Sequence, residues 1–140
     1  MRLAVPDCLA RLGAASHGVL ATHHPADGID AVPVCFVLAG DHLVVPVDTV
    51  KAKRSTRLQR SADLAADPRA TLLCEHWDDH DWDRLWWVRA RLRHVAMPDA
   101  SLCERGAQGL RAKYPRYRAH DAIADLLVLE VLALSGWSAR

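Results

Sequence analysis

Residues 84–92 read RLWWVRARL, and the way this stretch divides decides the architecture. Strand side chains alternate between the two faces of a sheet. One face of a strand over 84–96 then carries Trp86, Val88, Ala90 and Leu92, and the other carries Leu85, Trp87, Arg89, Arg91 and Arg93. The first set is apolar throughout and is expected to fill a core. The second suits an amphipathic outer surface on which Trp87 covers arginine stems, or a surface closed by a flat anionic ligand or a second subunit, since Trp and Arg are enriched at interface hot spots. The spacing leaves both options open.

Strand signals continue on either side of this run. GVLAT at 18–22, DAVPVCFVL at 30–38 and residues 42–47 form a predicted meander, punctuated by HHPADG and AGD. Residues 69–76 supply a fourth strand, 84–96 the fifth and 125–134 a sixth. Pro6 and Asp7 open a short amphipathic helix that Gly13 to Ser16 ends. Leu58, Ser61, Ala62 and Ala65 fall at helical spacing, predicting a second helix with that stripe inward and Pro68 as its stop. Pro98 and Asp99 start a third, with Leu102, Gly106, Gly109 and Leu110 on one side. Hairpins dominate and no βαβ alternation occurs. The expected class is α+β, mainly β: a closed or nearly closed antiparallel barrel with helices at its ends, one domain over 1–140.

Composition narrows function. The 140 residues suffice for one domain with a core. The net charge of +1 gives no whole-molecule field to attract nucleic acid, so any anion site must be local. The opening MRLAVPDCLARLG is broken by Asp7 and Arg11, which fits neither a signal peptide nor a membrane span. Cysteines stand at 8, 35, 74 and 103 without CxxC spacing, the pattern of reduced thiols in a cytoplasmic protein. His23-His24 and Cys74-x-His76 with His80 lack a regular ligand spacing, so no metal is expected, and DDHDWD at 78–83 reads as a mobile, solvated loop. No GxSxG elbow, P-loop or GxGxxG is present.

The local charge lies in residues 51–60. Lys51, Lys53, Arg54, Arg57 and Arg60 run without an intervening acid, where a strand feeds a helix start. Unsatisfied N–H groups and the helix dipole favour an anion there, and Thr49, Ser55 and Thr56 add hydroxyl donors. A solvated helix face is the alternative reading of the same run.

VPVCF at 32–36, VPVD at 45–48, KAKR at 51–54, DPRATLL at 67–73, RLWWVR at 84–89, LRAKYPRY at 110–117 and the terminal GWSA occur in one order over nearly the whole chain. In these stretches the chain resembles the pyridoxamine 5′-phosphate oxidase-like split β-barrels, and within them the flavin and deazaflavin oxidoreductases described as F420-dependent. The resemblance implies an oxidoreductase acting on a small-molecule substrate. It also implies a homodimer with F420, or alternatively FMN, in the groove between subunits. Lys51 and Lys53 would bind the cofactor phosphate, supported by Arg54 and Arg57. Pro33, Val34, Val47, Asp48 and Thr49 would flank the ring. Trp87, Arg89 and Trp137 would approach from the partner subunit. No catalytic acid or base is implied, because the cofactor carries the chemistry. A non-catalytic cofactor or haem binder is the other class the resemblance allows. The family's glycine after the WVR run is replaced here by RLRH at 91–94.

Overall fold

The structure, a computed structural model, describes residues 1–48, 55–119 and 121–140, the side chains of 55–58 excepted. One seven-stranded antiparallel sheet forms the body, with helices α1 (Val5–Ala14), α2 (Ser55–Ala66) and α3 (Ala100–Lys113) against it. The strands are β1 (Gly18–His24), β2 (Gly28–Val34), β3 (Val37–Ala39), β4 (His42–Asp48), β5 (Arg69–His76), β6 (Trp86–His94) and β7 (Ile123–Ser138), in the order β2-β1-β5-β6-β7-β4-β3. This is the expected α+β barrel, with one strand more than predicted among the described residues.

The extra strand comes from the run expected as one strand over 30–38. It breaks at Cys35-Phe36 into β2 and β3, which form the two opposite edges of the sheet. A two-residue connection therefore joins the edges, which makes the barrel a split one. The apolar run VPVCFVL hides the break, because Val34 and Phe36 both still point into the core. Pro46 is tolerated in β4 because β3 pairs only with His42 to Val44, so the missing N–H lies beyond the end of that edge strand.

The hairpin glycines are required locally. Gly28 at φ +90° and Gly40 at φ +58° occupy the left-handed region in the β1–β2 and β3–β4 turns. The last strand runs beyond its predicted end at 134. GWSA is not a tail, since Gly136 pairs with Val88 and Trp137 with Trp87. The N-terminal segment crosses there, with Leu3 N–H donating to the Gly136 carbonyl at 2.9 Å.

Alternation along β6 is as expected. Val88, Ala90 and Leu92 are buried with Leu20, Phe36, Leu72 and Leu129 in the barrel core. Trp86 is the exception: it packs against that core only in part, at the barrel end, with Arg11 5.0 Å above its ring and the His76 ring stacked at 6.4 Å. A ring this large at the last residue pair of the sheet has no further strand to cover it.

The third helix docks as expected, through Leu102, Gly106 and Leu110. A Cβ on Gly106 would lie 2.9 Å from Val44, so the helix lies nearly on the strand. The second helix does not present its expected stripe. Ser61, Ala62 and Ala65 are exposed, and Asp63 and Leu64 are buried instead. The reason is polar: the Thr22 hydroxyl donates to Asp63 at 2.9 Å and the Gln59 amide donates to it at 2.8 Å. No helix among the described residues is long and apolar enough to cross a membrane.

Candidate functional site

The outward face of five strands forms a continuous surface, built row by row from the register. One row runs Pro33, Val19, Leu73, Arg89, Ser135, and the next Ala31, Ala21, Thr71, Arg91, Ala133. At one end, Glu75, Trp87 and Trp137 stand side by side. Leu73 keeps 39 % of its surface exposed and Trp137 keeps 40 %, and Val19, Ile29 and Leu132 are also open. Open apolar side chains on one sheet face offer surface that a ligand or a second chain could bury.

A recess of about 630 Å³ opens at the aromatic end, walled by Leu73, Glu75, Trp77, Trp87, Arg89 and Trp137. That volume lies within the range of small-molecule sites, about 300–1,000 Å³. The Arg89 guanidinium lies 5.3 Å over the Trp87 ring. Its Nε is buried without an acceptor, and no carboxylate pairs with it among the described residues. A buried donor left without a partner costs about 1–3 kcal/mol, so an acceptor brought within reach of this N–H would be stabilised by it.

The DDHDWD loop, beside the recess, is solvent-exposed as expected and is braced by its own carboxylates. The Asp78 carboxylate accepts from His80 N–H at 3.0 Å and Asp81 N–H at 3.1 Å, and it pairs with Arg84 at 3.1 Å. The two backbone donors, chiefly that of His80, hold Asp78 below the usual carboxylate range. Asp83 pairs with Arg140 at 2.8 Å, and the Trp77 indole donates to Asp79 at 2.7 Å. The acids are spent on the loop's own frame. All five tryptophans of the chain meet here, Trp77 and Trp82 with ring centres 5.8 Å apart. Sequence spacing found only the pair on β6, because the others come from the loop after β5 and from the end of β7.

The residues implied by the family resemblance fall into three groups. Pro33, Trp87 and Arg89 share the outer face. Val34 is 6 % exposed and points into the core, and Val47 packs partly against that core, so neither side chain faces the recess. Asp48 is buried and pairs with Arg116 at 4.0 Å. Thr49, Lys51, Lys53 and Arg54 lie outside the described residues, as does the side chain of Arg57. Asp48 pairs with Ile123 at the start of β7, and Trp87 pairs with Trp137 near its end. Fourteen residues separate the two positions, on the order of 45 Å of strand path. Within one chain the end of β4 and the tryptophan recess are thus at opposite ends of the longest strand.

A second polar cluster surrounds the Cys35-Phe36 break. Tyr114 bonds both backbone groups of Phe36, and the Lys113 ammonium donates to the Phe36 carbonyl at 2.9 Å while lying 4.1 Å over its ring. Burial pushes the Tyr114 hydroxyl up to about 12 and lowers Lys113. Burial, then hydrogen bonding to Asp48, raises Tyr117. KYPRY thus pins the split in the barrel.

His24, Asp30 and Asp63 bring possible ligand atoms within 4.8 Å of one another. The His24 Nδ1 already accepts from Ala26 and Asp27 N–H, at 3.0 and 2.9 Å, which places its proton on Nε2. Burial alone would raise Asp63, but hydrogen bonds from Asp30, Gln59 and Thr22 outweigh it and lower it. Its hydrogen bond to Asp63 raises Asp30. The cluster is arranged to share a proton.

No family model and no curated protein matches the chain. Solved structures do. A conserved hypothetical protein from Mycobacterium tuberculosis superposes with a TM-score of 0.74 at 16 % identity, over 99 % of this chain and 86 % of that one. A FAD-binding protein from Mesorhizobium loti gives 0.69 at 15 %, over 97 % and 93 %. A pyridoxamine 5′-phosphate oxidase candidate from Corynebacterium glutamicum gives 0.57 at 12 %, over 97 % and 90 %. At these identities the likeness establishes the fold, a pyridoxamine 5′-phosphate oxidase-like split barrel.

Proposed function

We propose that this chain is an oxidoreductase that works as a homodimer and holds a flavin-type cofactor in the groove between copies. F420 is the finer assignment and FMN the alternative. The observation that carries the reading is the Arg89 Nε–H, buried without an acceptor beside the Trp87 ring in an open apolar recess. A flat heteroaromatic ring with carbonyl and nitrogen acceptors fits those walls. The FAD-binding protein among the structural neighbours weighs in the same direction. The surplus of basic residues from Lys51 to Arg60 favours F420, whose tail is polyanionic.

Such a cofactor, when bound, supplies hydride transfer at its ring. Trp87 and Trp137 offer flat walls, Arg89 donates to a ring acceptor, and Val19 and Leu73 exclude water. Lys51 and Lys53 neutralise the phosphate. In this reading Lys51 and Lys53 come from the second copy, seated on the five-stranded face; the position of the recess and of the end of β4 at opposite ends of β7 supports it.

Titration of the purified protein with FMN, FAD and oxidised F420, read by quenching of ligand or tryptophan fluorescence, tests the reading. Saturable binding of F420, weakened several-fold in Lys53→Ala, is expected. Tight FMN or FAD binding without F420 binding selects the flavin alternative, and no response to any of the three overturns the proposal.

A further inference from the structure

A second recess of about 390 Å³ lies beside the tryptophan recess at the barrel end, and His76 and Trp86 line both. The chemistry changes across that boundary. The second recess is lined by Arg11, Arg84 and Arg140 against the single carboxylate of Asp83. Arg84 and Arg140 are held in place by Asp78 and Asp83, at 3.1 and 2.8 Å. Arg11 has no carboxylate partner among the described residues and lies on the Trp86 ring, as Arg89 lies on that of Trp87. Among the described residues, each tryptophan of the doublet therefore carries a guanidinium with no carboxylate partner, although the chain has 17 acids for 18 lysines and arginines. An apolar trough beside a basic recess is complementary to a molecule apolar at one end and anionic at the other.

We propose that the two neighbouring recesses bind a small planar organic acid. Its carboxylate, sulfonate or phosphate group sits among Arg11, Arg84 and Arg140, and its apolar body lies along Trp86 towards Trp77, at the edge of the larger recess, leaving the Trp87 and Trp137 walls to the cofactor ring. This rests on the reading above only in identifying that acid as the substrate; the binding itself needs no cofactor. The braced loop at 77–85 presents the pocket already formed, so little ordering opposes entry.

Calorimetric titration of the full-length, cofactor-free protein with 1-naphthoate, 1-naphthalenemethanol and 1-naphthylmethylammonium tests it. These probes share one ring system and differ in charge. Naphthoate is expected to bind at least about tenfold tighter than the other two. Arg11→Gln with Arg140→Gln is expected to remove that preference, and Trp77→Ala to weaken all three probes alike. Arg93→Gln, at the far end of β6, is expected to leave naphthoate binding unchanged, with thermal melts confirming that each variant is folded. Equal affinity for the three probes, no binding of any, or a naphthoate preference that survives loss of both arginines in folded protein overturns the proposal. Cofactor binding is read in a separate titration, so failure of one reading does not hide failure of the other.

Discussion

The Tyr114 hydroxyl accepts the Phe36 N–H at 3.1 Å and lies 3.0 Å from the Phe36 carbonyl and 2.8 Å from that of Ser16. Phe36 is the residue at which the sheet divides into its two edges. A backbone leaving one edge strand and entering the other has no ladder partner there, and one side chain from the end of α3 supplies it. Replacement by Phe keeps the ring and its 5.6 Å edge contact with Tyr117 but orphans the Phe36 N–H. Tyr114→Phe is expected to lose about 1–3 kcal/mol in urea unfolding at unchanged m-value. An unchanged midpoint would show that water replaces the hydroxyl freely.

The division of the cofactor site between copies has a complementation test. Lys53→Ala and Trp87→Ala each damage one half of the groove. If each groove takes Lys53 from one copy and Trp87 from the other, mixing and reassociating the two variants restores roughly a quarter of the sites. If both residues serve the same copy's groove, no mixture binds better than its components. Stoichiometry from a cofactor titration of the mixture reads the outcome.

At Gly136, α1 and the N-terminal segment pack directly on β7. A Cβ there would lie 2.9 Å from the Trp87 carbonyl oxygen and 3.0 Å from the Cys8 sulfur. The oxygen belongs to a paired strand and cannot give way as a side-chain tip can. Gly136→Ala is expected to destabilise the fold by about 1–3 kcal/mol, with the melt shifted at all pH values. Gly13→Ala, whose added Cβ would meet nothing within 4 Å among the described residues, is the control.

The shared proton of Asp30 and Asp63 has a pH signature. Asp30 is raised, so its contribution is complete below the ordinary carboxylate value of about 4 and is lost as pH rises through its folded value. Asp63 is lowered, so its contribution holds above that ordinary value and fades as pH falls through its folded one. Asn at position 30 donates at every pH. Asp30→Asn is therefore expected to melt above the native protein at pH 8, with the difference shrinking toward zero by about pH 3. A difference independent of pH would mean that Asp30 holds no shared proton.

The period-two pattern of RLWWVRARL, the hairpin glycines at 28 and 40 and the Leu102-Gly106-Leu110 face all follow from neighbours a few residues apart. Those features, and with them the α+β barrel, were determined by the sequence alone. The tertiary structure decided where VPVCFVL breaks, because an apolar run is equally suited to one edge or two, and the break depends on Tyr114 and Lys113 nearly eighty residues away. It also decided that α2 buries Asp63 rather than its alanines, since a carboxylate is stable inside only where Thr22, Gln59 and Asp30 meet it. The tryptophan doublet shows both levels. Alternation separates Trp86 from Trp87, but only the folded chain brings Arg11 to one ring and Trp77 and Trp137 beside the other, because those residues come from the first helix, a loop and the last strand.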